Sequence, residues 1–224
     1  MKSIGNFSIP VNTKAILWDM DGVIVDSLGL DLGLVNELLE PYTGKKDLLA
    51  REYIRSIFPR TIPDFWNLIF AEVANRGIKV SDNVKKDVFE AYMEARRTVA
   101  LKAVVGIPEQ ISASQKMGFK NAVVSNSPIE QVRAILERIG VLGMFELVIG
   151  IDTLPSFNGK PEPDTYEYAM KQLGVMPDES VVVEDSFIGG EAGKRAGCYV
   201  IGVSTGALTK EQLLSAPQFF DAVI

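Results

Sequence analysis

Asp19 and Asp21 are separated by a single residue, follow the apolar run Ala15-Ile16-Leu17-Trp18 and precede Gly22. In an extended chain, side chains i and i+2 share a face, so a strand over residues 15–18 aims both carboxylates the same way from its carboxyl end. Two acids held that close repel each other unless a cation or a proton separates their roles. The pair therefore asks for a divalent metal. Three further polar groups stand straight after an apolar run or in the loop beyond one: Ser125-Asn126-Ser127, Lys160 and Glu184-Asp185. In a parallel sheet all strand carboxyl ends lie at one edge, so groups scattered along the chain can converge there. The inventory suits a phosphoryl group. Carboxylates hold a magnesium ion, while a hydroxyl, a lysine and backbone N–H groups hold the phosphate oxygens. Ser127-Pro128 has the composition of a helix start, serine as N-cap and proline at the first helical position, with the helix's positive end beside Ser125.

The elements that must position these groups alternate along the chain. Expected strands are residues 15–18, 122–125, 146–150, 180–183 and 199–203. Expected helices between and around them are 108–117, 128–139, 165–173 and 187–196, several closed by glycine (Gly118, Gly140, Gly197). Continuous apolar strands joined by helices read as a parallel sheet covered on both faces. The class is α/β, a Rossmann-like parallel sheet of about five strands. Residues 28–98 differ: helical spacing recurs in segments 28–39, 45–57, 63–76 and 82–98, with turn signals at Pro41-Tyr42-Thr43-Gly44, Pro59 and Gly77. The expected organisation is an α/β core of residues 1–26 and 99–224 with an all-helical domain, 27–98, inserted after the first strand. Residues 221–224 read as the start of one more strand.

Composition removes whole classes of function. The 224 residues contain no histidine, which excludes Ser-His-Asp and Cys-His schemes and histidine-ligated metals. Cys198 is the single cysteine, so no intrachain disulfide and no cysteine-rich zinc site can form; among strand residues it reads as a small buried hydrophobe. A net charge of −6 without a long basic run argues against nucleic acid or a polybasic membrane contact. Residues 1–13 are polar and carry no apolar core of signal-peptide length, and no apolar run approaches a membrane span. The expectation is a cytoplasmic protein, monomeric or a small homo-oligomer, acting on a small molecule.

With these residues assembled, the chain resembles the haloacid-dehalogenase-like hydrolase superfamily, in the branch of β-phosphoglucomutases and small-molecule phosphatases. The resemblance runs through Asp19-Met20-Asp21-Gly22-Val23, Val123-Val124-Ser125-Asn126, Lys160-Pro161-Glu162-Pro163-Asp164 and Val182-Val183-Glu184-Asp185-Ser186, and covers nearly all of residues 14–203. It implies that Asp19 attacks phosphorus and becomes a phospho-aspartate, and that Asp21 is the acid and base. It implies further that Ser125, Asn126 and Lys160 hold the phosphoryl group, and that Asp19, Asp185, Glu184 and the Asp21 carbonyl bind Mg²⁺. The helical insertion corresponds to the family's cap domain. β-Phosphoglucomutases usually carry a histidine twelve residues after the nucleophile; here that position is Asp31. The expected activity is therefore Mg²⁺-dependent hydrolysis of a small phosphate ester such as a sugar phosphate. A phosphosugar mutase and a non-catalytic metal- or phosphate-binding module are the alternatives. Asp164 reads as the N-cap of the helix it precedes, paired with Glu167. Lys45, Lys46, Arg51, Arg55 and Arg60 read as a solvated face that could otherwise bind a second anionic group.

Overall fold

A computed structural model describes residues 1–5, 7–58, 61–99 and 101–224. The chain opens with an antiparallel pair, β1 (Lys2–Ile4) and β2 (Phe7–Ile9), in which Ile4, Phe7 and Ile9 point inward. Next come β3 (Ala15–Trp18) and four helices, α1 (Leu28–Thr43), α2 (Arg51–Ile57), α3 (Ile62–Asn75) and α4 (Asp82–Thr98). The remainder alternates: α5 (Ile107–Lys116), β4 (Lys120–Val124), α6 (Ile129–Arg138), β5 (Leu147–Ile149), α7 (Asp164–Leu173), β6 (Ser180–Glu184), α8 (Phe187–Arg195), β7 (Tyr199–Gly202), α9 (Lys210–Leu214) and β8 (Ala222–Val223).

Six strands form one parallel sheet in the order β5-β4-β3-β6-β7-β8. Alternate residues of each strand leave on opposite faces, and both faces are apolar. Ile16, Trp18, Val123 and Val181 pack beneath α5, α6 and the β1–β2 pair, where the Phe7 and Trp18 rings lie 5.6 Å apart. Ala15, Leu17, Val124 and Val182 pack beneath α7, α8 and α9. Each large side chain removed from water here contributes about 1.5–3 kcal/mol. Trp18 is wholly buried, and its one polar atom is satisfied by Asn121 Oδ1 at 2.9 Å. The four helices α1–α4 enclose a third apolar cluster, built on Val35, Leu39, Phe65, Trp66, Ile69 and Tyr92. No described helix is long and apolar enough to cross a membrane.

The sheet has six strands: beyond the five counted from the alternation, the one whose start was read at residues 221–224 forms at 222–223 and pairs with β7. Helix α1 runs four residues past its expected end, through Pro41, and stops at Gly44 (φ 67°). Helix α2 starts six residues later than its spacing suggests. Asn36 accounts for that delay: its side chain accepts from the Leu49 N–H and donates to the Leu49 carbonyl, both at 2.9 Å, which holds this stretch out of the helical ladder. The turn signal at Pro59 lies outside the described residues.

Candidate active site

β3 lies at the centre of the sheet, and its register aligns Trp18 with Val123 of β4 and Val183 of β6. The next residues of all three strands therefore emerge side by side. Asp19 donates its N–H to the Val183 carbonyl (3.0 Å), and Ser125 donates its own to Ile149 (3.0 Å), so both sit in the last rung of the ladder. After Asp19 the chain turns sharply. Ile24 and Val25 donate back to the Met20 carbonyl, and Gly22 takes φ +83°, a left-handed conformation that favours glycine. A Cβ at Gly22 would stand 2.3 Å from Asp185 Oδ2. Glycine here is what lets this turn lie against the β6 end.

Lys160 comes from the loop beyond β5. Asn126 positions it by accepting from the Lys160 N–H (2.9 Å) and donating to the Lys160 carbonyl (3.3 Å). Thus the Asn126 side chain braces the lysine loop. The Lys160 amine is buried and donates to Asp19 Oδ1 (2.5 Å), Glu184 Oε1 (2.7 Å) and the Val124 carbonyl (2.9 Å). Glu184 is fully committed. One oxygen accepts from Lys160 and the Tyr166 hydroxyl (2.9 Å), the other from the Asp185 N–H and the Ser186 hydroxyl, each at 3.1 Å. Asp185 keeps Oδ2 on the Ala207 N–H (2.6 Å). Asp19, Glu184 and Asp185 each offer an oxygen within 4.8 Å of the others. The seven residues singled out in the sequence all line one cavity of about 50 Å³, together with Phe58, Ile62, Phe65, Tyr92 and Arg96 from the helices above.

Crowding sets the electrostatics. Burial raises the Asp19 carboxyl well above its ordinary range; Lys160 opposes the rise, and Glu184 and Asp185 add to it. Asp185 is pushed up to about 8, first by burial and then by Glu184. Burial also works against the Lys160 charge, but Asp19 and Glu184 outweigh it and hold the amine above the usual lysine range. The raised carboxyls of Asp19 and Asp185, with Glu184 beside them and only oxygen donors on offer, fit a small hard divalent cation such as magnesium. Asp19 and Asp185 have oxygens to spare for it, whereas those of Glu184 are already taken by hydrogen bonds.

Two capping expectations give way. The N-cap of α6 is Pro128, one residue later than expected, and the Ser127 hydroxyl instead donates to Asp21 Oδ2 (3.3 Å). The N-cap of α7 is Pro163, and Asp164 accepts from the N–H and side-chain amide of Asn158 (3.2 and 2.9 Å). Lys45, Lys46, Arg51 and Arg55 are exposed, Arg55 reaching the Gly206 carbonyl (3.3 Å); Arg60 lies outside the described residues. The cation of the helical layer that does enter the site is one the sequence reading passed over. Arg96, in the last turn of α4, is 2% exposed and bonds through Nη2 to Asp21 Oδ1 and through Nη1 to Asp31 Oδ2 (2.7 Å). Its signal was its place on the stripe Val88-Tyr92-Arg96, an arginine on the buried face of an amphipathic helix.

Residues 16–203 match the family described as haloacid dehalogenase-like hydrolase. A phosphoglycolate phosphatase of Aquifex aeolicus (strain VF5) is 32% identical over 193 residues, covering 82% of this chain and 81% of its own length. Hexitol phosphatase A of Escherichia coli (strain K12) is 29% identical, with 88% and 85% covered. The crystal structure of a family hydrolase from Deinococcus radiodurans R1, with bound phosphate and sodium, superposes with a TM-score of 0.76 at 26% identity, over 96% of this chain and 92% of that one. The extent of the match, together with a sheet edge that gathers all four sequence motifs, places the chain in the haloacid dehalogenase-like hydrolase family.

Proposed function

We propose that this chain is a Mg²⁺-dependent phosphatase that hydrolyses small phosphate monoesters through a phospho-aspartate on Asp19. It is a phosphoric monoester hydrolase acting on phosphorylated small molecules, as the names of its relatives suggest. One observation carries the reading. Asp19, Lys160 and Asp185, from three separate segments, meet at the carboxyl edge of the sheet with the Lys160 amine on Asp19.

In this reading an Asp19 oxygen forms a bond to phosphorus while the ester P–O bond breaks, and Asp21 gives its proton to the departing oxygen. A water then attacks the phosphorus of the phospho-aspartate. Asp21 takes the proton from that water, inorganic phosphate leaves and the Asp19 carboxylate is restored. Lys160 offsets the charge of two anions brought together, and Ser125 holds a phosphoryl oxygen. Asp19 and Asp185 would hold Mg²⁺ with the Asp21 carbonyl, Glu184 supporting Lys160 beside them. When bound, the cation supplies the remaining charge needed to keep Asp19 ionised against a phosphate dianion. Helices α1–α4 act as a cap that covers the sheet edge and shapes the leaving-group side with Phe58, Ile62, Phe65 and Tyr92. The mutase alternative lacks support at its marker position, because Asp31 faces Arg96 rather than Asp21.

The test is hydrolysis of 4-nitrophenyl phosphate, followed by phosphoglycolate and hexitol phosphates. Activity should require Mg²⁺ and be lost in Asp19→Asn. Full activity in that variant removes the nucleophile, and rearranged sugar phosphate without released phosphate would favour the mutase.

A further inference from the structure

Arg96 is anchored more firmly than a surface cation would be. Its guanidinium spans two acids, Asp21 and Asp31, and Nη1 also lies 3.1 Å from the Tyr92 hydroxyl. Asp31, in the first turn of α1, is wholly buried and keeps one oxygen, Oδ1, without a partner; Arg96 Nε has none either. A buried ion pair of this kind adds little stability over an apolar pair of the same shape, so the fold alone gives weak reason for it. The same two helix ends are moored to the core. Arg138 of α6 donates to the Arg96 carbonyl (3.2 Å), and the Asp26 N–H donates to the Lys102 carbonyl (3.0 Å), where the chain crosses between sheet and helices. On its other side Asp21 accepts from Ser127 (3.3 Å). The Asp21 carboxyl is thus gripped from the helical layer and from the core at once. Among the described residues, Arg96 is the one side chain of α1–α4 that hydrogen-bonds to Asp19, Asp21, Lys160 or Asp185.

We propose that Arg96, aimed by Asp31, is a positioning residue that fixes the Asp21 carboxyl against the leaving-group oxygen. The inference rests on the acid–base role given to Asp21 above. It locates Arg96 in the proton-transfer step and not in phosphate binding. The dependence on leaving group then separates it from a merely structural part. A good leaving group departs with little help from a proton, and a basic alkoxide cannot.

The experiment compares 4-nitrophenyl, phenyl and benzyl phosphate, in order of increasing leaving-group basicity, with Mg²⁺. Arg96→Met should lower kcat on benzyl phosphate at least about tenfold more than on 4-nitrophenyl phosphate, with KM changed less than about twofold. Arg96→Lys keeps one charge without the fork and should fall between. Asp31→Asn should show the same ordering more weakly. The double variant Asp31→Leu with Arg96→Met removes both buried charges; it keeps the test available if the single change does not fold, and it should lose no more than Arg96→Met alone. An equal loss on all three esters, or a loss expressed mainly in KM, overturns the proposal. Asp19→Asn run alongside separates the two readings. If it stays active the phosphatase reading fails, whereas an inactive Asp19→Asn with a uniform Arg96→Met loss sinks only the role of Arg96.

Discussion

Asp185 gives the most direct physical test of the proposed metal site, because its carboxyl moves from an ordinary 3.8 to about 8 on burial beside Glu184. Below about pH 4 the group is protonated in both folded and unfolded chains and favours neither. As pH rises toward 8 the unfolded chain loses this proton while the metal-free folded chain keeps it, so stability falls. Above about 8 the effect levels off. Between pH 5 and 8 the slope of about 1.4 kcal/mol per pH unit amounts to at most about 4 kcal/mol from this one group. Water entry and side-chain relaxation around an ionising buried group bring the expected loss to about 2–3 kcal/mol. Asp31, pushed up to about 6 by burial against the pull of Arg96, adds to the same trend over the lower part of the window. The assay is urea denaturation of wild type and Asp185→Asn at pH 5 and 8.5, each in EDTA and in excess Mg²⁺. Asparagine keeps an oxygen for the Ala207 N–H, so the substitution removes the charge while retaining a hydrogen bond. Wild type in EDTA should lose stability between the two pH values, and Asp185→Asn should lose about 2 kcal/mol less. Mg²⁺ at a hundredfold its dissociation constant should restore about 3 kcal/mol to wild type at pH 8.5 and little to the variant. A metal-free wild type as stable at pH 8.5 as at pH 5, or a variant with an undiminished slope, would refute the reasoning.

Two further outcomes follow from packing. A Cβ at Gly206 would stand 1.9 Å from Asp185 Oδ2 and 2.8 Å from the Gly22 Cα, so Gly206→Ala must displace the carboxylate; the Mg²⁺ concentration for half-maximal activity should rise about tenfold or more, read by titration of the aryl phosphatase rate. Cys198 is 3% exposed and burial pushes its thiol up to about 12, so it should resist a maleimide in the native protein and react in urea, as mass spectrometry would show.

The fold was legible wherever a local rule agreed with its tertiary setting. Residues 15–18, 122–124 and 181–183 are apolar on both faces because helices cover both, and uninterrupted hydrophobicity is the mark that such burial leaves in a sequence. Gly118, Gly140 and Gly197, the glycines read as helix ends, follow α5, α6 and α8 in left-handed conformations and mark those ends directly. Where a distant side chain decides the backbone, the sequence is silent. The late start of α2 follows from Asn36, thirteen residues before the peptide it holds. The β1–β2 pair escaped for another reason: each strand has three residues, too few for alternation to stand out from chance.

The same distinction divides the site. Asp19, Ser125, Glu184 and Asp185 sit at strand ends or just beyond them, so reading the strands correctly is enough to bring them to one edge. Lys160 is fixed by a loop, and its position needs the Asn126 brace, a pairing across 34 residues that no local pattern announces. Arg96 is harder again. Its helix belongs to a different layer, and on a helical wheel its position among Val88 and Tyr92 gives only the direction in which it points. An arginine facing an apolar core is expensive unless carboxylates wait for it. Arg96 on that stripe therefore implied partners, and the buried Asp31 with Asp21 at the sheet edge are the acids that the fold delivers. A charged residue interrupting an otherwise apolar helical face carries information about other parts of the chain, because its desolvation has to be answered there.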